Sequence, residues 1–142
     1  MTDPKTKGEI AEHVVKAELV KRGVTVLEPT QENLRYDFVA EEEGKFYKLQ
    51  CKLATYKGDI IQFQVSSYQA NNTSGKKKDY GGEIDHFVVY SPETGDCYMI
   101  PLELVGSSMK TLRLETPKNN QREGITMAED HTFDEVFGTE LI

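Results

Sequence analysis

The sequence predicts an α/β (α+β) domain in which a β-sheet packs on one N-terminal helix. Residues 4–22 have the apolar periodicity of a helix, and the runs that follow have the short length and turn-residue borders of strands. With 142 residues, of which 37% are hydrophobic and 29% charged, the chain suits one globular domain spanning 1–142.

The helix is predicted from its two ends and from its apolar stripe. Thr6 and Glu9 have the spacing of a capping box, and Gly23 follows a basic pair as a stop signal. Helical geometry makes Ile10, Val14 and Ala17 the centre of the stripe, which Ala11, Val15 and Leu19 extend.

Turn residues divide the rest of the chain into short strands and loops. The segment 71–82 is polar, basic and glycine-bearing, so we expect an exposed, mobile loop. Residues 106–142 are expected to be a C-terminal extension docked on the domain, in which 128–137 forms a short helix or a docked tail. Strands are predicted at 24–27, 36–40, 46–53, 60–66, 86–90, 97–100 and 111–114.

The charge and the motif content exclude several classes of protein. The chain has neither a long apolar run nor the apolar core of a signal peptide, so we expect a cytoplasmic protein without a membrane partner. Cys51 and Cys97 form no Cys-x-x-Cys pair and are expected as buried free thiols. Neither a phosphate-binding glycine loop nor a Gly-x-Ser-x-Gly elbow is present.

The net charge of −7 argues at first against nucleic acid as a partner. Acids at 41–43 and between 129 and 140 account for that charge, which leaves room for a locally basic face. A bound metal ion would also supply positive charge to an acidic nuclease.

The third predicted strand carries the chemistry. Side chains alternate between the faces of a strand, so Gln50 and Lys52 lie side by side on a polar face. Asp37 lies in the preceding strand, and a turn at 43–44 makes the two strands natural neighbours. The opposite, apolar face of the third strand consists of Leu49, Cys51 and Leu53.

This trio suits metal-assisted cleavage of a phosphodiester. A carboxylate and an amide oxygen are hard ligands, as Mg²⁺ or Mn²⁺ requires, and such an ion lowers the pKa of a bound water. A lysine beside them can stabilise the negative charge of the transition state. The alternative is that Gln50 and Lys52 only make the strand soluble, as polar residues on strands often do.

Glu12 is a further candidate from the helix. It falls at the border of the apolar stripe, beside Leu19, from where an acid can reach towards the sheet. Glu9 has the capping box as its local explanation, whereas Glu12 has none. A simply solvated border glutamate is the alternative.

Together these residues resemble the PD-(D/E)XK nuclease superfamily. The pattern Lys7-Gly8-x-x-x-Glu12, then Asp37, then Gln50-x-Lys52 is similar in spacing to that of archaeal Holliday junction resolvases. Glutamine before x-Lys resembles the small endonucleases associated with group I introns. Further runs similar to those endonucleases are 33–38, 79–85 and Tyr98-x-x-Pro101, so that the resemblance covers about 5–135.

The resemblance implies a restriction-endonuclease-like mixed β-sheet flanked by helices, and Mg²⁺-dependent (or Mn²⁺-dependent) cleavage of DNA. It implies that Asp37 is the main metal ligand, Gln50 a neutral ligand or water positioner, and Lys52 the residue that assists the nucleophile. The backbone carbonyl of Cys51 and the Glu12 carboxylate would complete the metal shell. Gln50 departs from the usual acid, and because an amide carries no charge it weakens metal affinity unless Glu12 compensates.

DNA contacts are expected from two places. Lys76, Lys77 and Lys78 offer phosphate contacts and Tyr80 a stacking ring, although such a loop can also be merely solvated. Arg35 and Tyr36 are placed beside Asp37 and could touch the DNA backbone.

The main hypothesis is a DNA endonuclease that acts as a homodimer or homotetramer, because a domain this small cuts one strand per site. Its substrate would be a specific duplex site or, for a resolvase, a branched junction. Two alternatives stay open, a catalytically silent DNA-binding module of the same fold and a structural protein with an acidic surface.

Overall fold

The fold was analysed in a computed structural model that describes residues 3–65, 82–116 and 124–142. Helix α1 spans Pro4–Lys21 and helix α2 spans Phe133–Phe137, with short 3-10 turns at Leu102–Leu104 and Ala128–Asp130. The strands are β1 (Thr25–Leu27), β2 (Phe38–Glu42), β3 (Lys45–Leu53), β4 (Thr55–Tyr56), β5 (Ile60–Gln64), β6 (His86–Ser91), β7 (Asp96–Pro101) and β8 (Met109–Arg113).

The strands form two sheets. A five-stranded sheet has the order β1-β2-β3-β6-β7 and is mixed, since β3 and β6 are parallel while its other pairs are antiparallel. A three-stranded sheet has the order β4-β5-β8 and is antiparallel. The predicted mixed α/β class is confirmed, but β4 and the division into two sheets were not predicted.

Two hydrophobic cores lie on opposite faces of the five-stranded sheet. One joins α1 and α2 to the sheet and contains Val15, Leu49 and Phe133. The other joins the two sheets and contains Phe63 and Phe87. The alternation of β3 therefore turns Leu49 towards the helices and its even-numbered neighbours towards the second sheet.

Helix α1 begins at Pro4, as the predicted range 4–22 has it, but with a different N-cap from the one that the capping signal predicted. The N-cap is Asp3, whose Oδ1 accepts a hydrogen bond from the Thr6 N–H at 2.8 Å, so the predicted Thr6–Glu9 capping box is wrong. The apolar stripe is also rotated from its predicted centre, because Ile10 is 48% exposed while Ala11, Val15 and Leu19 are buried. Within the described ranges, no helix is long and apolar enough to cross a membrane.

The segment 106–142 contributes to both layers of the fold. Strand β8 pairs with β5 along its whole length, and α2 packs on the helix face of the larger sheet. The predicted second strand begins at Phe38 rather than at Tyr36, and the predicted mobile loop lies outside the described residues except at Gly82.

Arg22 fastens the C-terminal residues to the end of α1. Its side chain is only 7% exposed, and its guanidinium lies 2.5 Å from the Asp134 carboxylate and 3.1 Å from that of Glu18. It also donates to the Gly138 carbonyl at 3.1 Å and lies over the Phe133 ring, 5.9 Å from the centroid. A buried guanidinium with this many acceptors contributes strongly to docking.

We expect Arg22→Ala to lower the free energy of unfolding by about 2 kcal/mol, since several charge-assisted hydrogen bonds are lost together. Urea unfolding measures this change. The matched control is Lys21→Ala, which removes the neighbouring, 46% exposed partner of Glu18 and should cost about 0.5 kcal/mol or less. Equal effects of the two variants would contradict the role assigned to Arg22.

Candidate active site

The candidate site lies where β2 begins beside β3. The Asp37 N–H donates to the Leu49 carbonyl at 2.8 Å, the last backbone bond before the chain turns away. The Asp37 carboxylate then accepts the Cys51 N–H, with 2.7 Å between Oδ2 and N. The side chain thus continues the pairing of the strands where the backbone does not, and this places Asp37 beside 50–52 as the sequence predicted.

Gln50 is fixed with a defined orientation. Its Nε2 donates to the Arg35 carbonyl at 2.8 Å. A carbonyl can only accept, so this bond identifies the nitrogen end of the amide and turns Oε1 the other way. Oε1 is buried and has no hydrogen-bond partner among the residues that the structure describes. A buried acceptor without a partner is costly and calls for a ligand or water.

Lys52 shares the Gln50 face of β3. It is half-buried and pairs with Val89 across the parallel ladder, and its side chain makes no hydrogen bond or ion pair within the described part of the chain. Its ammonium is therefore not tied to another described side chain in this structure.

The pKa of Asp37 depends on its burial and on the charges of neighbouring residues. Burial raises the pKa of the Asp37 carboxyl above its ordinary value, and the bond from the Cys51 N–H opposes that rise. The charge of Glu12 raises this pKa further, whereas the charges of Lys52 and Lys16 lower it. Glu12 and Lys52 are thus both within electrostatic reach of Asp37, one from the helix and one from the sheet.

Lys16 is a neighbour of the site that sequence reasoning missed. Its Nζ lies 3.1 Å from the Glu12 carboxylate, pairs also with Glu28, and sits 5.6 Å from the centroid of the Phe38 ring. The i,i+4 spacing from Glu12 was a signal that could have found it. Glu12 lies at the border of the buried face, as predicted, with its side chain 35% exposed.

Cys51 offers its backbone rather than its thiol. The thiol belongs to the core beneath the helices, and burial raises its pKa well above the ordinary value, so it stays protonated. In a strand, the N–H and C=O of one residue point to the same side. Because the Cys51 N–H meets Asp37, its carbonyl also points to the side where β2 has not yet begun.

The donor set fits a hard cation. It consists of the carboxylates of Asp37 and Glu12, the amide oxygen of Gln50 and the carbonyl of Cys51, all of them oxygens suited to Mg²⁺. No cluster of three or more His, Cys, Asp or Glu side chains with metal-binding geometry occurs in ranges 3–65, 82–116 and 124–142. Such a site therefore depends on the amide and the carbonyl as well as on its two acids.

Of the residues predicted to contact DNA, the structure describes two, Arg35 and Tyr36. The Arg35 side chain is 10% exposed, with its Nε 3.2 Å from the Glu83 carboxylate, and Tyr36 packs against the core between the sheets. Their contact with DNA stays a prediction. Lys76, Lys77, Lys78 and Tyr80 lie outside the described residues.

Comparisons with known proteins give a family match and two similar solved structures. A family model for PD-(D/E)XK endonuclease matches residues 2–134. Among solved structures, the bacterial homing endonuclease I-Ssp6803I is 24% identical, with 92% of this chain and 89% of that chain covered and a TM-score of 0.71. The Holliday junction resolvase Hjc of Archaeoglobus fulgidus is 15% identical over 87% of this chain and 93% of that one, with a TM-score of 0.47. No curated protein matches.

We expect Asp37→Asn to stabilise the metal-free protein at neutral pH. A folded pKa above the unfolded value means that the contribution of Asp37 to stability is present below the unfolded pKa and lost as pH rises through the folded pKa. Asparagine avoids this loss and can still accept the Cys51 N–H. Thermal unfolding in EDTA should give a variant more stable at pH 7, by about 2–4 °C if the gain is about 1 kcal/mol.

A control of opposite sign is Asp3→Asn. The backbone hydrogen bond from Thr6 lowers the pKa of Asp3, so that the contribution of Asp3 is present above the unfolded pKa and lost as pH falls. As pH rises, the unfolding temperature of the Asp3 variant should therefore decrease relative to that of the parent protein. The unfolding temperature of the Asp37 variant should increase relative to it. An Asp37 variant that is no more stable than the parent at pH 7 would contradict this account.

Proposed function

This chain belongs to the PD-(D/E)XK endonuclease family, and from that premise we propose that it hydrolyses phosphodiester bonds of DNA with Mg²⁺ or Mn²⁺ as cofactor. The observation that carries the proposal is the buried Gln50 oxygen, which has no partner among the described residues and lies one residue from the amide that holds Asp37. An oxygen held in this way suits a ligand that the fold itself does not supply.

In the proposed site, Asp37, Gln50 and the Cys51 carbonyl hold the cation, and Glu12 adds a second charge. When bound, the ion polarises a phosphate oxygen and lowers the pKa of a water. Asp37 is anchored by the Cys51 N–H, so its second oxygen keeps a fixed place. Glu12 meanwhile pairs with Lys16, and its carboxylate reaches the cation only if it shares or leaves that contact.

Lys52 acts on the reacting phosphate. Its ammonium orients the attacking water and offsets the charge that gathers on the phosphate oxygens in the transition state. The water oxygen forms a bond to phosphorus while the bond from phosphorus to a sugar oxygen breaks. The proton released by the water goes to solvent, and the departing sugar oxygen takes one in return.

DNA is the proposed partner, and the protein acts as a homodimer or homotetramer. One such site cuts one strand, so a double-strand break or the symmetric resolution of a junction needs two copies. Arg35, Tyr36 and the basic set Lys76, Lys77, Lys78 and Tyr80 remain the proposed DNA contacts.

Cleavage should depend on both Asp37 and Lys52. With Mg²⁺ or Mn²⁺, we expect nicking of supercoiled plasmid or of a four-way junction, and Asp37→Ala and Lys52→Ala should each slow it by at least about a hundredfold. EDTA should abolish it. The rate of nicking on gels measures these effects.

Lys45→Ala is the matched control for the lysine. Lys45 lies on the same strand, is exposed, and is remote from the site, so its loss should leave the rate of nicking within about twofold of the parent rate. If neither DNA substrate is cut with either cation, or if cutting survives Asp37→Ala and Lys52→Ala, the enzymatic proposal fails. DNA binding without cutting would then favour the silent module.

Gln50→Glu should destabilise the metal-free protein by about 1–3 kcal/mol at pH 7. A carboxylate cannot donate to the Arg35 carbonyl, and it leaves two acceptors facing each other in a buried place. Protonation restores the donor, so the loss should shrink as pH falls. Urea unfolding in EDTA between pH 4 and pH 7 measures it.

The same variant should gain more stability from Mn²⁺ than the parent does, because the introduced carboxylate adds charge to the ligand set. Gln50→Leu is the control, since it also loses the donor but offers nothing to a cation. A Gln50→Glu protein as stable as the parent in EDTA at pH 7 would contradict the orientation assigned to the amide.

A further inference from the structure

We propose that Arg35 and Glu83 are a positioning pair, which fixes the Gln50 amide with its oxygen turned towards the metal site. The inference rests on the proposed function, because a metal-dependent reaction is what needs that oxygen. Neither side chain is assigned to the chemistry itself, and for Arg35 this role is an alternative to the DNA contact.

The first step is the dependence of Gln50 on a backbone group. Among the described residues, its amide is oriented by the hydrogen bond to the Arg35 carbonyl at 2.8 Å. The direction of Oε1 therefore depends on where the Arg35 peptide lies, and that peptide belongs to a segment outside the strands. A carbonyl in a loop can fix the orientation of a side-chain amide only if other contacts restrain the loop.

The second step is how that loop is held. On one side of Arg35, Asp37 is joined to Leu49 and Cys51 by backbone and carboxylate bonds. At Arg35 itself, the side chain is 10% exposed and its Nε lies 3.2 Å from the carboxylate of Glu83, whose side chain is 32% exposed. A partly buried ion pair is screened less than a fully exposed one, so it restrains the loop more than an exposed pair would.

The third step is what holds Glu83. The residues on either side of it are fastened to Lys48 of β3, since the Gly82 carbonyl accepts Lys48 Nζ at 2.5 Å. The Lys48 N–H donates to the Asp85 carboxylate at 2.7 Å, and the Asp85 N–H donates to the Lys48 carbonyl at 2.8 Å. The segment that contains Glu83 is thus bonded to Lys48, which lies two residues before Gln50 on β3.

These contacts close a circuit that begins and ends on β3. It runs from Lys48 through 82–85 to Glu83, across the ion pair to Arg35, and through the Arg35 carbonyl to Gln50. Glu83→Ala removes the ion pair from this series of contacts without touching any proposed ligand. Partners that orient metal ligands in this indirect way typically change metal affinity by about 10–100-fold when lost.

The first experiment observes the amide without metal or DNA. In nitrogen-15 NMR spectra of the full chain, the Gln50 side-chain resonances are identified by their loss in Gln50→Ala. One of the two amide protons should exchange slowly with water in the parent, because it is bonded to the Arg35 carbonyl. Glu83→Ala should speed that exchange at least about tenfold, and Glu83→Gln, which keeps an acceptor, should fall between.

Asp59→Ala is the matched control. Asp59 pairs with Arg113 at 3.4 Å on the other sheet, so its removal also deletes the acid of an arginine pair but should leave the Gln50 amide unchanged. Equal exchange in the parent and in Glu83→Ala would overturn the proposal.

The second experiment measures Mn²⁺ affinity by electron paramagnetic resonance of the free ion. We expect Glu83→Ala to weaken binding about tenfold in the parent background and to have no further effect when Gln50 is already alanine. Additive effects in the two backgrounds would overturn the positioning role, because they would show that Glu83 acts without Gln50.

The two readouts separate the positioning role from the proposed function. Faster exchange in Glu83→Ala together with a parent that binds no Mn²⁺ would support the positioning pair and remove the metal-dependent nuclease. Unchanged exchange and Mn²⁺ affinity, with weaker DNA binding in Arg35→Ala, would overturn the pair and return Arg35 to DNA contact.

Discussion

The hydrogen bond between the Cys51 N–H and the Asp37 carboxylate is the interaction around which the site is arranged. A continuing ladder would pair that N–H with a backbone carbonyl. Here a side chain takes the carbonyl's place, so β2 and β3 part while the N–H stays satisfied. The Cys51 carbonyl points to the same side as its N–H, and Gln50 and Lys52 flank Cys51 along β3.

In the absence of a ligand, that arrangement lowers the free energy of unfolding of the protein. Asp37 carries its charge in a place where burial raises its pKa, and the Gln50 oxygen is buried with no partner in the described part of the chain. The cores on both faces of the five-stranded sheet and the contacts of Arg22 with Glu18, Asp134 and Gly138 offset this cost elsewhere. A ligand that satisfied both groups would thus stabilise the protein as well as complete the site.

The sequence predicted the parts of this site that follow from short-range geometry. Alternation along β3 was enough to place Gln50 beside Lys52, and a short turn was enough to bring Asp37 near them. The sequence did not predict the Asp3 cap, because Thr6 also fitted a capping pattern. It did not predict the rotation of α1 either, because that rotation depends on packing against the sheet. The second sheet and the Arg35–Glu83 ion pair depend on contacts between distant segments, and no local pattern encodes such partners.

The same geometry gives a reason for glutamine at position 50. In the proposed site, this residue donates to the Arg35 carbonyl and also presents an oxygen to the cation, and an amide has one group for each task. An ionised acid would accept at both ends and would set a third carboxylate beside Asp37 and Glu12, with Lys16 and Lys52 as the described cations nearby. Compared with an ionised acid at this position, glutamine attracts a cation less strongly. In return its oxygen has a fixed orientation, and it adds no repulsion to the carboxylates of Asp37 and Glu12. Its neutrality is then compatible with a working site as long as Asp37 and Glu12 supply the charge.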